Sequence, residues 1–297
     1  MRTSLQIALA LFALSACDIQ KIGNQATATT VAVSTLLSTP SFEVKAGAIA
    51  GNGLDASLPD LDAGAILDAG FNVTDAGYVV PAQNLAFVFF GQRGSSLDVA
   101  PTGTAGATAS LIEVGGPRFT LDDQGGGSYA LSPDAGFTYK DNATYQFEFK
   151  HQAQTFVAEV TRVPTRENIP EFHPAAGYLE LTAGQELTFT RPDPPQGQDR
   201  NFGFVNVFPI SAQSGQGQPT YTNIPTTALG FLKLIAAPNE WKSTVVTIPG
   251  TAFPDRDANY IVVLQSAKLG GPKSDNLFSG SAILAGTADV AIVKTRK

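Results

Sequence analysis

Glu171-Phe172-His173 places a carboxylate and an imidazole two residues apart in a proline-spaced segment, and side chains at i and i+2 of an extended chain share one side. Such a pair could pass a proton to a substrate or offer two metal ligands. It lacks further partners in sequence: zinc takes three or four ligands, no His-Glu-x-x-His occurs, and the other histidine, His151, falls at an expected hairpin tip. No Gly-x-Ser-x-Gly elbow supplies a nucleophilic serine. Gly51-Asn52-Gly53 and Gly125-Gly126-Gly127 precede no helix, so they read as turns and not as phosphate cradles. Hard oxygen ligands gather in one loop-rich region at Asp55, Asp60, Asp62, Asp68 and Asp75, with Asp60, Asp62 and Asp68 as the calcium candidates; the spacing matches no EF-hand, and acidic turns are common on solvated surfaces. No cofactor and no metal is assigned. The most distinctive polar segment runs from Arg191 to Arg200, with charges ordered plus, minus, minus, plus at Arg191, Asp193, Asp199 and Arg200 and stiffened by Pro192, Pro194 and Pro195. It is either a crossover with its ends paired or a recognition loop at one end of a sandwich.

Cys17 is the sole cysteine. It follows a basic n-region, Met1-Arg2-Thr3, an apolar h-region from Leu5 to Ala13 and a break at small residues, the layout of a cleaved export signal. The apolar run is shorter than the roughly 18 residues a spanning helix needs. Leu14-Ser15-Ala16-Cys17 resembles the box of bacterial lipoprotein precursors. That resemblance implies cleavage before Cys17, acylation of its thiol, and display from a membrane of the cell envelope through lipid, with the inner or outer membrane left open. A diacyl or triacyl anchor holds stably where a single chain does not. With Cys17 acylated, no thiol remains for a disulfide, and stability comes from packing.

Of 297 residues, 281 remain after the leader, enough for two domains, and the loss of Arg2 takes the net charge from −7 to −8. An acidic chain disfavours nucleic acid, whose phosphates need clustered Lys and Arg. Lys294, Arg296 and Lys297 read as a solvated tail. Sparse charge, abundant Gly, Pro, Ser and Thr, and short β-branched or aromatic runs predict an all-β protein.

Along the chain, residues 1–16 read as signal peptide, 17–30 as a lipidated tether without apolar periodicity, 31–164 as a first β-sandwich, 165–176 as a linker broken by Pro170 and Pro174, and 177–297 as a second β-sandwich. Leu85 to Phe90 is apolar on both faces and predicts a strand buried between layers. Hairpins are expected at 118–131 and 144–163, with strands near 41–45, 109–114, 177–181, 186–190, 202–210, 244–248, 260–267 and 283–293. Pro225-Thr226-Thr227 before Ala228 to Ile235 predicts one short helix in the second domain. Trp241 is expected in a core.

Asp141-Asn142-Ala143-Thr144-Tyr145 has the spacing of the tyrosine corner of immunoglobulin-like domains, where a Tyr early in the penultimate strand bonds to upstream backbone, and Asp257-Ala258-Asn259-Tyr260 repeats it with the acid one residue closer. Phe147 stands where an antibody domain carries its second cysteine. The chain thus resembles lipoprotein precursors carrying two tandem immunoglobulin-like β-sandwiches, which implies location and fold but no mechanism. The expected function is a non-catalytic envelope module with an envelope protein as partner. A small-ligand or carbohydrate binder, and a β-sandwich hydrolase whose two carboxylates carry no linear motif, are the alternatives.

Overall fold

The computed structural model describes residues 16–45, 72–74, 77–80, 82–94, 101–210, 219–224, 234 and 238–296. The protein is all-β, with two large hydrophobic cores, a small third cluster of Phe204, Leu234, Trp241 and Ala267, and one α-helix described along its length, α1 (Ala16–Thr27). The helix predicted at 228–235 lies outside them except for Leu234, which is helical and buried.

The first core is wrapped by β1 (Thr30–Thr39), β5 (Gln83–Gln92), β7 (Thr108–Glu113), β8 (Arg118–Gly125), β9 (Ser128–Ala130), β10 (Tyr145–His151) and β11 (Gln154–Val160). Period-two alternation sets its faces: Tyr145, Phe147 and Phe149 of β10 point inward and are fully buried, while Gln146 and Glu148 between them do not. Phe90 stacks on Phe149 at 4.7 Å and tilts against Phe156 at 5.3 Å, contacts worth about 0.5 to 1.5 kcal/mol each beyond area burial. β8 pairs with β7 over 118–121 and with β9 from Asp122 onward, with a register shift between Asp123 and Gly125, so one strand serves both neighbours. The turn that follows needs glycine. A Cβ on Gly127, at φ +79°, would lie 2.4 Å from the Phe90 carbonyl oxygen. β2 (Phe42–Lys45), β3 (Asn72–Thr74) and β4 (Gly77–Val80) form a separate small sheet, and β6 (Thr102–Gly103) pairs with the end of β5.

The second core lies between a pair, β13 (Leu187–Thr190) and β16 (Val245–Ile248), and a larger sheet in the order β12 (Leu179–Thr182), β18 (Ala282–Arg296), β17 (Asn259–Pro272), β14 (Phe202–Ile210) and β15 (Tyr221–Thr222). Both predicted tyrosine corners are present. The Tyr145 hydroxyl accepts the Lys140 N–H at 2.8 Å and the Tyr260 hydroxyl accepts the Asp255 N–H at 3.0 Å, each from five residues upstream. In both corners the residue three before the tyrosine, Asn142 (φ 59°) or Asp257 (φ 52°), is left-handed, which short polar side chains tolerate best.

β17 and β18 are far longer than predicted from the sequence, and they join the two cores. Tyr260, Val262, Leu264, Ala291 and Val293 pack in the second core, whereas Leu277, Ile283 and Ala285 pack in the first. β18 pairs in parallel with β1 over 282–287 and with β12 over 293–296. β17 pairs with β14 over 259–267 and with β11 at 271–272. Since β17 and β18 also pair with each other, the strands around the first core close into a ring.

Three local expectations are corrected. Residues 17–27 of the expected tether 17–30 are helical: the buried Gln25 amide donates to the Pro272 and Ser274 carbonyls, and Ser279 N–H donates to the Gln25 carbonyl, so docking on the β17–β18 turn supplies what apolar periodicity does not. β5 is central in its sheet, but Leu85 and Phe87 are 44% and 41% exposed, because only Ala86, Val88 and Phe90 face the core. Lys294 and Arg296 are not an irregular tail; they belong to β18, where the exposed Arg296 pairs with Glu180 and Thr295 is buried against the Asp255 and Ala258 carbonyls, while Lys297 lies outside the described residues.

Candidate functional site

Where the ribbon β17–β18 passes from one core to the other, each of its edges has a stretch paired with no strand. On the β18 edge this stretch is 288–292, between the registers of β1 and β12. The linker fills it. The buried Asp289 carboxylate accepts from Arg166 Nη2 at 2.6 Å and from the Ile169 N–H at 2.8 Å, and meets His173 Nε2 at 3.0 Å. Three points of the linker thus converge on one buried acid, and Ile169 and Phe172 are drawn into the second core.

A second buried ion pair holds the other side of the linker. The Arg191 guanidinium, fully buried, meets Glu167 bidentately with both N···O distances at 2.7 Å and also donates to the Asn201 and Trp241 carbonyls. Glu167 accepts from the Ser266 hydroxyl at 2.8 Å. Bidentate geometry with every remaining donor engaged is what makes a buried pair tolerable. Gly203 lies against the guanidinium: a Cβ there would sit 2.6 Å from Arg191 Nη1.

On the opposite edge, β17 at 268–270 is paired with neither β14 nor β11. A cleft of about 770 Å³ opens there. Its walls are the exit of the first domain and the linker at 162–168, the proline loop at 192–201, and Phe202, Lys242 and Ala267 to Leu269. The volume falls within the usual range for small-ligand sites, and its place at a domain junction is where such sites concentrate.

The residues singled out from sequence fall in different places. Arg191 is a buried anchor of the loop and faces no partner. Arg200 donates to the Pro192 carbonyl and to Asp193, so the loop ends are paired across it, while Asp193 is 93% exposed and Asp199 is exposed on the cleft rim. Glu171 and His173 do not act together: Glu171 accepts the Thr190 N–H at 3.2 Å and His173 turns to Asp289. His151 is at the hairpin tip. Trp241 is buried, with its indole N–H on the Asn223 carbonyl. Cys17 is the second residue of α1. Asp60, Asp62 and Asp68 lie outside the described residues, among which no His/Cys/Asp/Glu group has metal-site geometry. Sequence reasoning missed Asp289, Glu167, Arg162, Lys242 and Lys268. Only Asp289 carried a signal, being the one charged residue in the apolar run 283–293, and a buried carboxylate needs partners.

No family model matches the chain, and no curated protein does. Among solved structures it is similar to the FN1–FN3 domains of chicken CNTN1, at 10% identity with a TM-score of 0.27, over 72% of this chain and 63% of that one. The chain therefore spans less than two thirds of that structure's length. The fold assignment rests on the pairings and cores described above. No helix among the described residues is long and apolar enough to cross a membrane.

Proposed function

We propose that the protein is a non-catalytic binding module of the bacterial cell envelope, held by lipid on Cys17, which engages its ligand or partner at the junction cleft. The observation that carries this reading is the cleft itself, a concavity of about 770 Å³ whose walls are fixed by two ion pairs that each have one fully buried partner, Arg191 with Glu167 and Asp289 with Arg166. Walls held in place before binding lower its entropic cost. Of the acids at the cleft, Glu167 is engaged by Arg191 and Ser266, Asp289 by the linker and Asp193 by Arg200, while Asp199 stays exposed on the rim. The anchor has a structural counterpart in α1, since the helix starting at Ala16 docks through Gln25 on the β17–β18 turn. Cys17 to Gln25 is about 12 Å of helix at 1.5 Å per residue. An acylated Cys17 would therefore hold the first domain close to the bilayer.

Two measurements test the two halves of the proposal. Cys17→Ala is expected to abolish incorporation of a fatty-acid analogue; equal labelling of the variant sinks the anchor. Replacing Asp193 to Asp199 by a Gly/Ser linker, with Arg191 and Arg200 kept, is expected to abolish capture of envelope components while leaving the thermal midpoint within a few degrees. Unchanged capture would place the binding surface elsewhere.

A further inference from the structure

The cleft reverses the sign of the molecule. The chain carries −7, yet Arg162, Arg166, Arg200, Lys242 and Lys268 all line this one concavity, against Glu167, Asp193 and Asp199. Half of these charges are already matched: Arg200 with Asp193, Glu167 with the buried Arg191, and Arg166 with Asp289. That leaves Arg162, Lys242 and Lys268 facing Asp199 alone, an excess of two positive charges in a walled space. Among the described residues none of these three has an ion-pair partner: Lys242 sits over the Phe202 ring at 5.2 Å, and Lys268 reaches only the Arg162 carbonyl at 3.4 Å.

Three further features point the same way. Arg162 has φ 50°, a left-handed conformation that a long side chain rarely adopts, and such outliers gather at ligand clamps. Burial first, and then the neighbouring Arg162, hold the Lys268 amine below its ordinary value of 10.5, with Asp199 opposing. Arg166 retains a buried Nε–H with no acceptor. Around the charges, Pro192, Pro194, Pro195 and Phe202 give an apolar wall.

We propose that the cleft binds an oxyanion, phosphate or carboxylate, carried on a small organic body that packs against the proline loop and Phe202, with Arg162, Lys242 and Lys268 as the anion-holding groups. The inference rests on the cleft being the binding site and adds the chemistry of what enters it. Clefts lined by one sign of charge concentrate the opposite sign, so binding here should be fast and salt-sensitive.

The test is calorimetric titration of the chain from residue 17, with Cys17→Ser to keep it in solution, using inorganic phosphate, glucose 6-phosphate, glucuronate and glucose. Saturable binding is expected for at least one of the two charged sugars, weakening as chloride rises, with none for glucose. Glucose 6-phosphate against glucuronate decides between phosphate and carboxylate, and inorganic phosphate reports whether the anion suffices without its body. Lys268→Gln and Arg162→Gly should each weaken the binding about tenfold, the size of one lost charge-assisted hydrogen bond. Arg162→Gly should also hold or raise the thermal midpoint, since glycine adopts φ 50° freely, which separates lost binding from lost folding. Failure of both charged sugars to bind, or binding indifferent to both variants, overturns the oxyanion proposal. If the charged sugars fail while the loop replacement still abolishes capture, the oxyanion chemistry is wrong and the cleft remains the binding site.

Discussion

At the scale of single residues, this protein is held by polar groups that are buried and matched. Five tyrosines, Tyr129, Tyr139, Tyr145, Tyr221 and Tyr260, have phenols raised above the ordinary value of 10.0, in each case chiefly by burial. A raised folded value means stability that is complete below pH 10 and lost as pH climbs above it. Alkaline titration followed at 295 nm should show those phenols ionising together with unfolding and not before it; early, independent ionisation would contradict the burial. Tyr145→Phe and Tyr260→Phe each leave a backbone N–H without its acceptor and should cost about 1 to 3 kcal/mol in denaturant melts. His151→Ala at the hairpin tip should stay within about 0.5 kcal/mol. Asp289→Ala strands the Ile169 N–H and frees Arg166, and a loss of about 3 to 5 kcal/mol is expected. For the other pair, the double variant Arg191→Met, Glu167→Leu should be less damaging than Arg191→Met alone, because the single change leaves Glu167 without its counter-charge. A single variant that melts like the wild type would show that this pair does not anchor the loop.

At the scale of elements, the ribbon β17–β18 does the joining. Fourteen and fifteen residues at about 3.4 Å each make strands long enough to run through one core and into the next. The two unpaired stretches along its edges are then treated differently: the linker closes the β18 side through Asp289, and the β17 side stays open as the cleft. The loop of three prolines gains its shape from the buried Arg191 at its root and from Arg200, which donates to the Pro192 carbonyl at 2.6 Å. Gly203→Ala should disturb that root more than an ordinary strand alanine, since the new methyl presses on the guanidinium. Loss of stability well beyond about 1 kcal/mol is expected, and an unchanged melt would show that the guanidinium yields freely.

At the scale of the whole molecule, the two cores are not independent beads. Leu277, Ile283 and Ala285 complete the first core from the far end of the chain, and the outer edges of β1 and β11 are capped by β18 and β17. A chain ending at residue 164 lacks these strands and exposes two open sheet edges beside an incomplete core. It should show no cooperative melt and poor amide dispersion in NMR spectra, whereas residues 17–297 should unfold in a single transition. A well-dispersed, cooperatively melting 17–164 fragment would show that the ribbon only decorates the first domain.

The sequence by itself determined the local pieces. Alternation places nearly every strand of the second half within a residue or two at its start, the turn residues place both hairpins, and the spacing before Tyr145 and Tyr260 places both corners, because each depends on neighbours within a few positions. The tertiary structure alone decided what joins distant residues. Thr30–Thr39 forms a strand because β5 and β18 flank it, and Gln20–Thr27 is helical because Gln25 finds carbonyls nearly 250 positions away. Arg191 changes from a recognition residue to a buried anchor because Glu167 and Trp241 enclose it. The cleft has no linear signature at all: its cations come from four separate segments, and they meet only because one ribbon crosses between two cores. Charge balance along a chain is set by composition, but charge balance within a concavity is set by topology.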